Sequence, residues 1–360
     1  MVEHSGQVKL LAVVFRHGDR SLDPNVGESY PNDPYRDLDI FPVGPGGLTN
    51  NGKLRAFNLG QALRKKYDKF LGNIYYPELI KARSTDCDRT KMSLQLVLSG
   101  LFPPASSQKW KNGVDWQPIP TEYFPLKNDW LLRADLNPKC AAEIDRFKNS
   151  QEFRERFAEL NDLVKFLEKV TGKVYKNVEE LFLLYLTFSV QREMGLKLPE
   201  WADKLFPNGR LLDAASLAFD TRNGNDKLKK LHGVLLLGVL LRKITDNFQR
   251  CQKGALKNGR KIYLYSGHDL NVAALLNTLG IWKPHSPQFT SAIIMELLEI
   301  ENKPFVKVIY YLGIPSEFTE MQIPGSPTKL CPLDEFLDLY KNFIATDEDF
   351  NVSDSNIAQH

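Results

Sequence analysis

Leu10 to Phe15 is an uninterrupted apolar run that stops on Arg16. A half-exposed strand would alternate with polar residues, so this run predicts a strand buried on both faces, as in a parallel sheet covered by helices. Ile262 to Tyr265 repeats the pattern and leads into Ser266-Gly267-His268. Two more strand patterns, Ile293 to Leu297 and Phe305 to Tyr311, flank Asn302-Lys303-Pro304 and are expected to pair antiparallel. Between the strands the period is helical. After Thr49, Ala56, Leu59, Leu63 and Tyr67 share one face. A second helix is expected beyond Thr85, with Thr85 and Asp88 at capping-box spacing, running through Met92, Leu96 and Ser99. A third runs from Val272 to Leu279 and ends at Gly280.

Residues 126 to 230 lose the strand signal. Phe153, Phe157, Leu160, Val164 and Leu167 recur at helical spacing, as do Val178, Phe182, Tyr185 and Phe188. The predicted architecture is α/β, with a mainly parallel central sheet flanked by helices and an inserted all-α cap domain. Residues 1–125 and 233–345 supply the core, 126–232 the cap, and 346–360 a polar, acidic tail expected to be disordered. The active site is expected in the crevice between core and cap.

Three segments place Arg or His where an apolar strand gives way to a loop. In Arg16-His17-Gly18-Asp19-Arg20 two guanidinium groups crowd one imidazole. Each must find an anion or stay solvated, which points to phosphate chemistry; the plain alternative is a solvated basic loop. In Tyr265-Ser266-Gly267-His268-Asp269-Leu270-Asn271, His268 and Asp269 fall at a helix N-terminus, where free N–H groups and the dipole favour anions. Taken alone, Asp269 is equally a helix cap. Lys81 to Thr90 places Arg83 just before a helix, and both Arg83 and Arg89 also suit a surface position. Three such strand ends can converge at one edge of a parallel sheet.

Together these segments resemble the histidine acid phosphatases, the family of lysosomal, prostatic and insect venom acid phosphatases. The resemblance rests on Arg16 to Arg20, on Arg83-Ser84-Thr85-Asp86 with Asp88-Arg89-Thr90, and on His268-Asp269. Leu101-Phe102-Pro103-Pro104, Trp116 to Pro120, Tyr311 to Pro315 and Cys331-Pro332-Leu333 extend it over nearly the whole chain, closest in flavour to the venom-type members. It implies His17 as a nucleophile that becomes phosphorylated, Arg16, Arg20, Arg83 and His268 as phosphate ligands, and Asp269 as proton donor. Such residues suit the chemistry. Cationic donors neutralise the ester's oxygens so that a ring nitrogen can attack in line. The attacking imidazole is neutral, its other nitrogen held by an acceptor such as a backbone carbonyl. A carboxylic acid protonates the leaving alkoxide.

The resemblance further implies a small-molecule phosphate monoester as substrate, no metal or other cofactor, a homodimer, and a secreted or lysosomal location. A phytase-like specificity is its nearest rival, followed by a secreted binding protein or antigen. A metallophosphatase with His17, Asp19, His268 and Asp269 as ligands is disfavoured by Arg16 and Arg20, since cations crowding a divalent metal are unfavourable. Leu22 stands where a proline is common, and the loop before Cys331 lacks the usual nearby cysteine. Trp130 and Arg133 are candidate pocket-lining residues.

Composition adds limits. The 360 residues, 42% hydrophobic and 25% charged, suffice for a sizeable core. A net charge of +3 without a dense basic stripe gives no reason to expect nucleic acid as a partner. Gly233 to Leu241, the most apolar stretch, is too short to span a bilayer and is expected as a buried helix. Met1 to Val8 is mostly polar, so no leader is expected in it, and the resemblance to secreted and lysosomal proteins implies a mature or trimmed form. Cys87, Cys140, Cys251 and Cys331 allow three complete disulfide pairings, Cys87 being expected as a small buried residue. Asn351-Val352-Ser353 is a glycosylation sequon.

Overall fold

The structure, a computed structural model, describes residues 6–233, 237–242, 245–246, 260–343 and 346. Its frame is a mixed sheet in the order β3 (Glu122–Phe124), β2 (Ile80–Thr85), β4 (Ile262–Gly267), β1 (Gln7–Arg16), β5 (Ala292–Ile300), β6 (Lys303–Tyr311) and β7 (Phe318–Met321), with β8 (Leu330–Pro332) also on β6. β3, β2, β4 and β1 are mutually parallel, and the sheet turns antiparallel from β5 onward. The expected β5–β6 hairpin forms, but its turn is Glu301-Asn302, both at positive φ (49° and 62°), so Lys303 and Pro304 already belong to β6. Two left-handed residues match the twist of the flanking strands.

β1 accounts for the apolar run. Leu11, Val13 and Phe15 face one layer, while Leu10, Ala12 and Val14 face the other. Against the first face lie α1 (Asn50–Leu71) and α2 (Asp88–Leu101), through Ala56, Leu59, Leu63, Leu94 and Val97. The Thr49 hydroxyl caps α1 by accepting from the Gly52 N–H at 3.1 Å, worth about 1 kcal/mol. α2 departs from the capping-box expectation: it starts at Asp88 with Cys87 at the cap position and no side-chain cap, while Thr85 remains in β2. The Thr90 hydroxyl instead donates toward the Cys87 carbonyl at 2.8 Å.

The middle of the chain folds as α3 (Pro138–Lys148), α4 (Gln151–Ala158), α5 (Asn161–Thr171), α6 (Val178–Glu193), α7 (Arg210–Asn223) and α8 (Asp226–Gly233). These helices share a core of their own, which also takes in Tyr30 and Ala273. α6 is its central rod, buried almost all round rather than along one stripe. The helical spacing from Phe153 to Leu167 is carried by two helices, which break at Glu159-Leu160. Leu160 N–H bonds the Phe157 carbonyl, three residues back, and this tightened turn moves the buried face onto Leu160, Leu163 and Leu167.

The second face of the sheet is covered by α9 (Asp269–Thr278), α10 (Leu333–Leu339) and the described helical residues 237–242. Among the described residues no helix is long and apolar enough to cross a membrane. Cys87, Cys140 and Cys331 are unpaired, so none of the three complete pairings forms, and Cys87, expected to be buried, is only half-buried. Cys251, the Asn351 sequon, Gly233 to Leu241 in part and the tail beyond Thr346 lie outside the described residues.

Candidate active site

Arg16, Thr85 and Gly267 are the carboxyl-terminal residues of the neighbouring strands β1, β2 and β4, and the candidate residues gather just beyond them. His17 continues β1, its N–H donating to the Gly267 carbonyl at 3.0 Å. Gly18 then threads between two helices: its N–H donates to the Ser93 hydroxyl of α2 at 3.0 Å, and a Cβ here would lie 2.3 Å from the Gly52 carbonyl oxygen of α1. Only glycine allows that approach. Arg55 of α1 adds an ion pair to the buried Asp19 at 2.9 Å and another to Glu193 of α6 at 3.2 Å.

This anchoring fixes the protonation of His17. Its Nδ1 lies 2.7 Å from the Gly18 carbonyl, which can only accept, so Nδ1 carries the proton. Nε2 is left with a bare lone pair, toward which Arg89 Nε–H donates at 3.1 Å. Burial, reinforced by the charges of Arg89, His268, Arg16 and Arg20, drives the His17 pKa well below the ordinary imidazole value. Burial likewise lowers His268 to about 3, with Arg89 adding to the shift and Asp269 opposing it.

A hydroxyl relay settles the tautomer of His268. Its Nε2 is 3.1 Å from the Thr85 hydroxyl, which is 2.9 Å from that of Thr90. Thr90 uses its proton on the carbonyls of Thr85 and Cys87. Thr85 therefore donates to Thr90 and accepts from an Nε2–H on His268, an assignment from the network that satisfies every contact. His268 is also the cap residue of α9, its N–H donating to Asn271 Oδ1 at 2.8 Å. Asp269 is thus the first helical residue rather than the cap. Its Oδ1 accepts from the Leu270 N–H at 2.8 Å and its Oδ2 sits 3.1 Å from Arg16.

The arginines divide in two. Arg16 stacks on Phe289, 4.1 Å from the ring centre, and donates to the Pro287 carbonyl at 2.6 Å. Arg20 forms a two-pronged pair with Glu28. Arg16, Arg20 and Arg89 all line a cavity of about 240 Å³ together with His17, His268 and Asp269. Arg83 does not line it. It pairs with Asp129, whose side chain is fully buried, and lies over the Phe124 ring at 4.2 Å. The pleat explains this: Thr85 and Arg83 share a face of β2, but Arg83 lies two residues, roughly 6.6 Å, further back along the strand. Arg89, which the sequence offered only as part of the Asp88-Arg89-Thr90 motif, stands in the cavity wall with its Nε 3.1 Å from His17 Nε2.

Five arginines line the cavity (Arg16, Arg20, Arg89, Arg133 and Arg222) against three carboxylates (Glu28, Asp135 and Asp269). The surplus suits a doubly charged anion. Of the two guessed lining residues, Arg133 is in the wall and Trp130 is not. Leu131, Leu132, Phe182, Leu183 and Leu186 make the rest of the wall largely apolar. Among the described residues no group of three or more His, Cys, Asp or Glu side chains is arranged to hold a metal, and Glu28 and Asp269 are both engaged by arginine.

The fold and site together define an α/β enzyme built around a strand-end histidine in an arginine-rich pocket. Residues 7–311 match the histidine phosphatase superfamily (branch 2), and the chain belongs to that family. It is 42% identical to the venom acid phosphatase Acph-1 of Apis mellifera over 95% of this chain and 87% of that protein. It is 32% identical to the prostatic acid phosphatase of Bos taurus (95% and 86%) and 31% identical to the lysosomal acid phosphatase of Homo sapiens (94% and 79%). Among solved structures, the Klebsiella sp ASR1 phytase superposes with a TM-score of 0.69 at 16% identity over 96% of this chain and 97% of that one. At that identity the likeness concerns the fold.

Proposed function

We infer that this protein is an acid phosphatase that hydrolyses phosphate monoesters through a phosphohistidine on His17. The observation that carries the reading is the unprotonated Nε2 of a neutral, buried His17 ringed by guanidinium groups, its lone pair held by an Arg89 N–H that an incoming phosphoryl group would displace. Arg16, Arg20 and Arg89 hold the phosphoryl oxygens; His268, whose Nε2–H is donated to Thr85, joins them as a donor once the phosphate's negative charge draws a second proton onto its ring, and Arg83 acts from behind as a positioning residue on the Asp129 loop. Nε2 attacks phosphorus, the bond from phosphorus to the ester oxygen breaks, and the carboxylic acid of Asp269 gives its proton to the departing alkoxide. Water then attacks the phosphohistidine, its proton passes to the Asp269 carboxylate, and the P–N bond breaks to release inorganic phosphate.

Because burial and surrounding charge keep His17 unprotonated far below pH 6.5, the nucleophile stays available in acid, where an ordinary imidazole would be blocked by its own proton. The apolar wall suits an ester with one phosphate and a partly apolar alcohol better than an inositol ring phosphorylated on every side. The venom and lysosomal relatives support a secreted or lysosomal location, and a homodimer is proposed on the resemblance alone.

The deciding experiment is His17→Ala. The parent should form an acid-labile phosphoenzyme and keep its activity through prolonged chelation, and the variant should lose both phosphoenzyme and turnover while still binding phosphate. Full activity in the variant, or loss on chelation restored by a divalent metal, would overturn the reading.

A further inference from the structure

The cavity has a second polar end that the chemistry at His17 does not use. Arg133 grips both carboxylate oxygens of Asp135 at 3.0 Å, which neutralises that pair. Beside it stand Arg222, near the end of α7, and the buried His232 of α8, both lining the same cavity. Among the described residues Arg222 makes no ion pair; its contacts are the Thr221 hydroxyl at 3.0 Å and the Ala218 carbonyl at 3.5 Å. Its Nε is buried without an acceptor, and so is Nε2 of His232. Proximity to the α7 carboxyl terminus accounts for a cation at Arg222. It does not account for two buried polar atoms without partners on one cavity wall.

The two polar ends differ in the charges around their histidines, although Arg133 also acts on His268. His17 feels Arg89, His268, Arg16 and Arg20, whereas His232 feels Arg222 and Asp135. Each end keeps one guanidinium without a carboxylate partner, Arg89 at one and Arg222 at the other, and the wall they share also carries leucines and Phe182. We propose that Arg222 and His232 form a leaving-group subsite that selects phosphate monoesters whose alcohol has an apolar body ending in a carboxylate. The phosphate would lie on His17 and Arg89, the apolar body along Leu183 and Leu186, and the carboxylate would satisfy Arg222 Nε and a His232 Nε2–H. This rests on the phosphatase reading above and names the kind of ester that reading leaves open.

The test compares para-propylphenyl phosphate with its analogue in which the propyl chain ends in a carboxylate. The two phenols are nearly equal in acidity, so the chemical step is matched. At about pH 6, where the carboxylate is ionised, the parent should favour the carboxylate ester by about tenfold in kcat/KM, the scale of one charged hydrogen bond. In Arg222→Gln that preference should collapse to near unity, and in His232→Gln it should fall part of the way; turnover of the propyl ester reports that each variant is folded. A parent preference of unity or below, or a preference unchanged in Arg222→Gln, would overturn the subsite. Hydrolysis of neither ester by the parent would instead defeat the phosphatase reading.

Discussion

Replacing Arg89 and Arg83 in turn separates the arginine that stands in the cavity wall from the one that the sequence resemblance marks as a phosphate ligand. Arg89 reaches the cavity with its Nε 3.1 Å from the attacking nitrogen and, among the described residues, has no carboxylate partner. A full charge roughly 5 Å from a phosphoryl oxygen, at an effective dielectric of about 20, contributes about 3 kcal/mol. Arg89→Gln should therefore lower kcat/KM by roughly 10² while leaving the fold intact. Arg83 differs. Its partner Asp129 is buried, and burial already raises that carboxyl above its usual range even with Arg83 opposing the shift. Arg83→Gln should cost about 3 kcal/mol of stability and leave turnover by the folded fraction within a few-fold of the parent. The assay is kcat/KM on an activated aryl phosphate alongside urea unfolding followed by circular dichroism. The placement argument fails if Arg83→Gln loses catalysis at unchanged stability while Arg89→Gln remains active.

Two further outcomes follow from the same geometry. Asp269→Asn should impair alkyl phosphates far more than activated aryl phosphates, because a good leaving group needs little protonation; single-turnover rates across graded leaving groups that fall in parallel for parent and variant would show the proton comes from elsewhere. Burial, with Arg222 adding and Asp135 opposing, lowers His232 to about 4, so its contribution to stability is present above about pH 6.5 and is lost as pH falls toward 4. That loss amounts to about 3 kcal/mol and should be missing from His232→Phe when urea midpoints are compared at neutral pH and near pH 4; identical pH dependences would contradict it.

Much of the site was legible because strand ends announce themselves. An apolar run that stops on Arg-His-Gly, and another that stops on Gly-His-Asp, gave His17, Arg16, Arg20, His268 and Asp269 their places, and all five line the cavity. What the sequence hid was contact between distant segments. Arg83 reads as a phosphate ligand, and nothing in its neighbourhood along the chain reveals its ion pair with Asp129, 46 positions later. Glu28 escaped notice and Thr85 was read only as a helix cap and motif residue for a similar reason: a carboxylate in a loop and a threonine at a strand end are common, and only the folded chain brings them to Arg20 and His268. The helix break at Leu160 was hidden because its apolar spacing continues across the turn without proline or glycine.

The position of β1 carries a consequence for the time order of biosynthesis. Leu11 pairs with Ile262 on one edge and with Glu296 on the other, so β1 is synthesised long before either of its neighbours. At 5 to 20 residues per second, a ribosome needs roughly tens of seconds to deliver them. Through that interval Leu10 to Phe15 is an exposed, aggregation-prone ribbon, and it requires shielding by a chaperone or by early packing on α1 and α2. The imidazole that follows it is over the same period solvated and ordinary. The protein therefore emerges inert, and its nucleophile is created only when the far end of the chain closes over it.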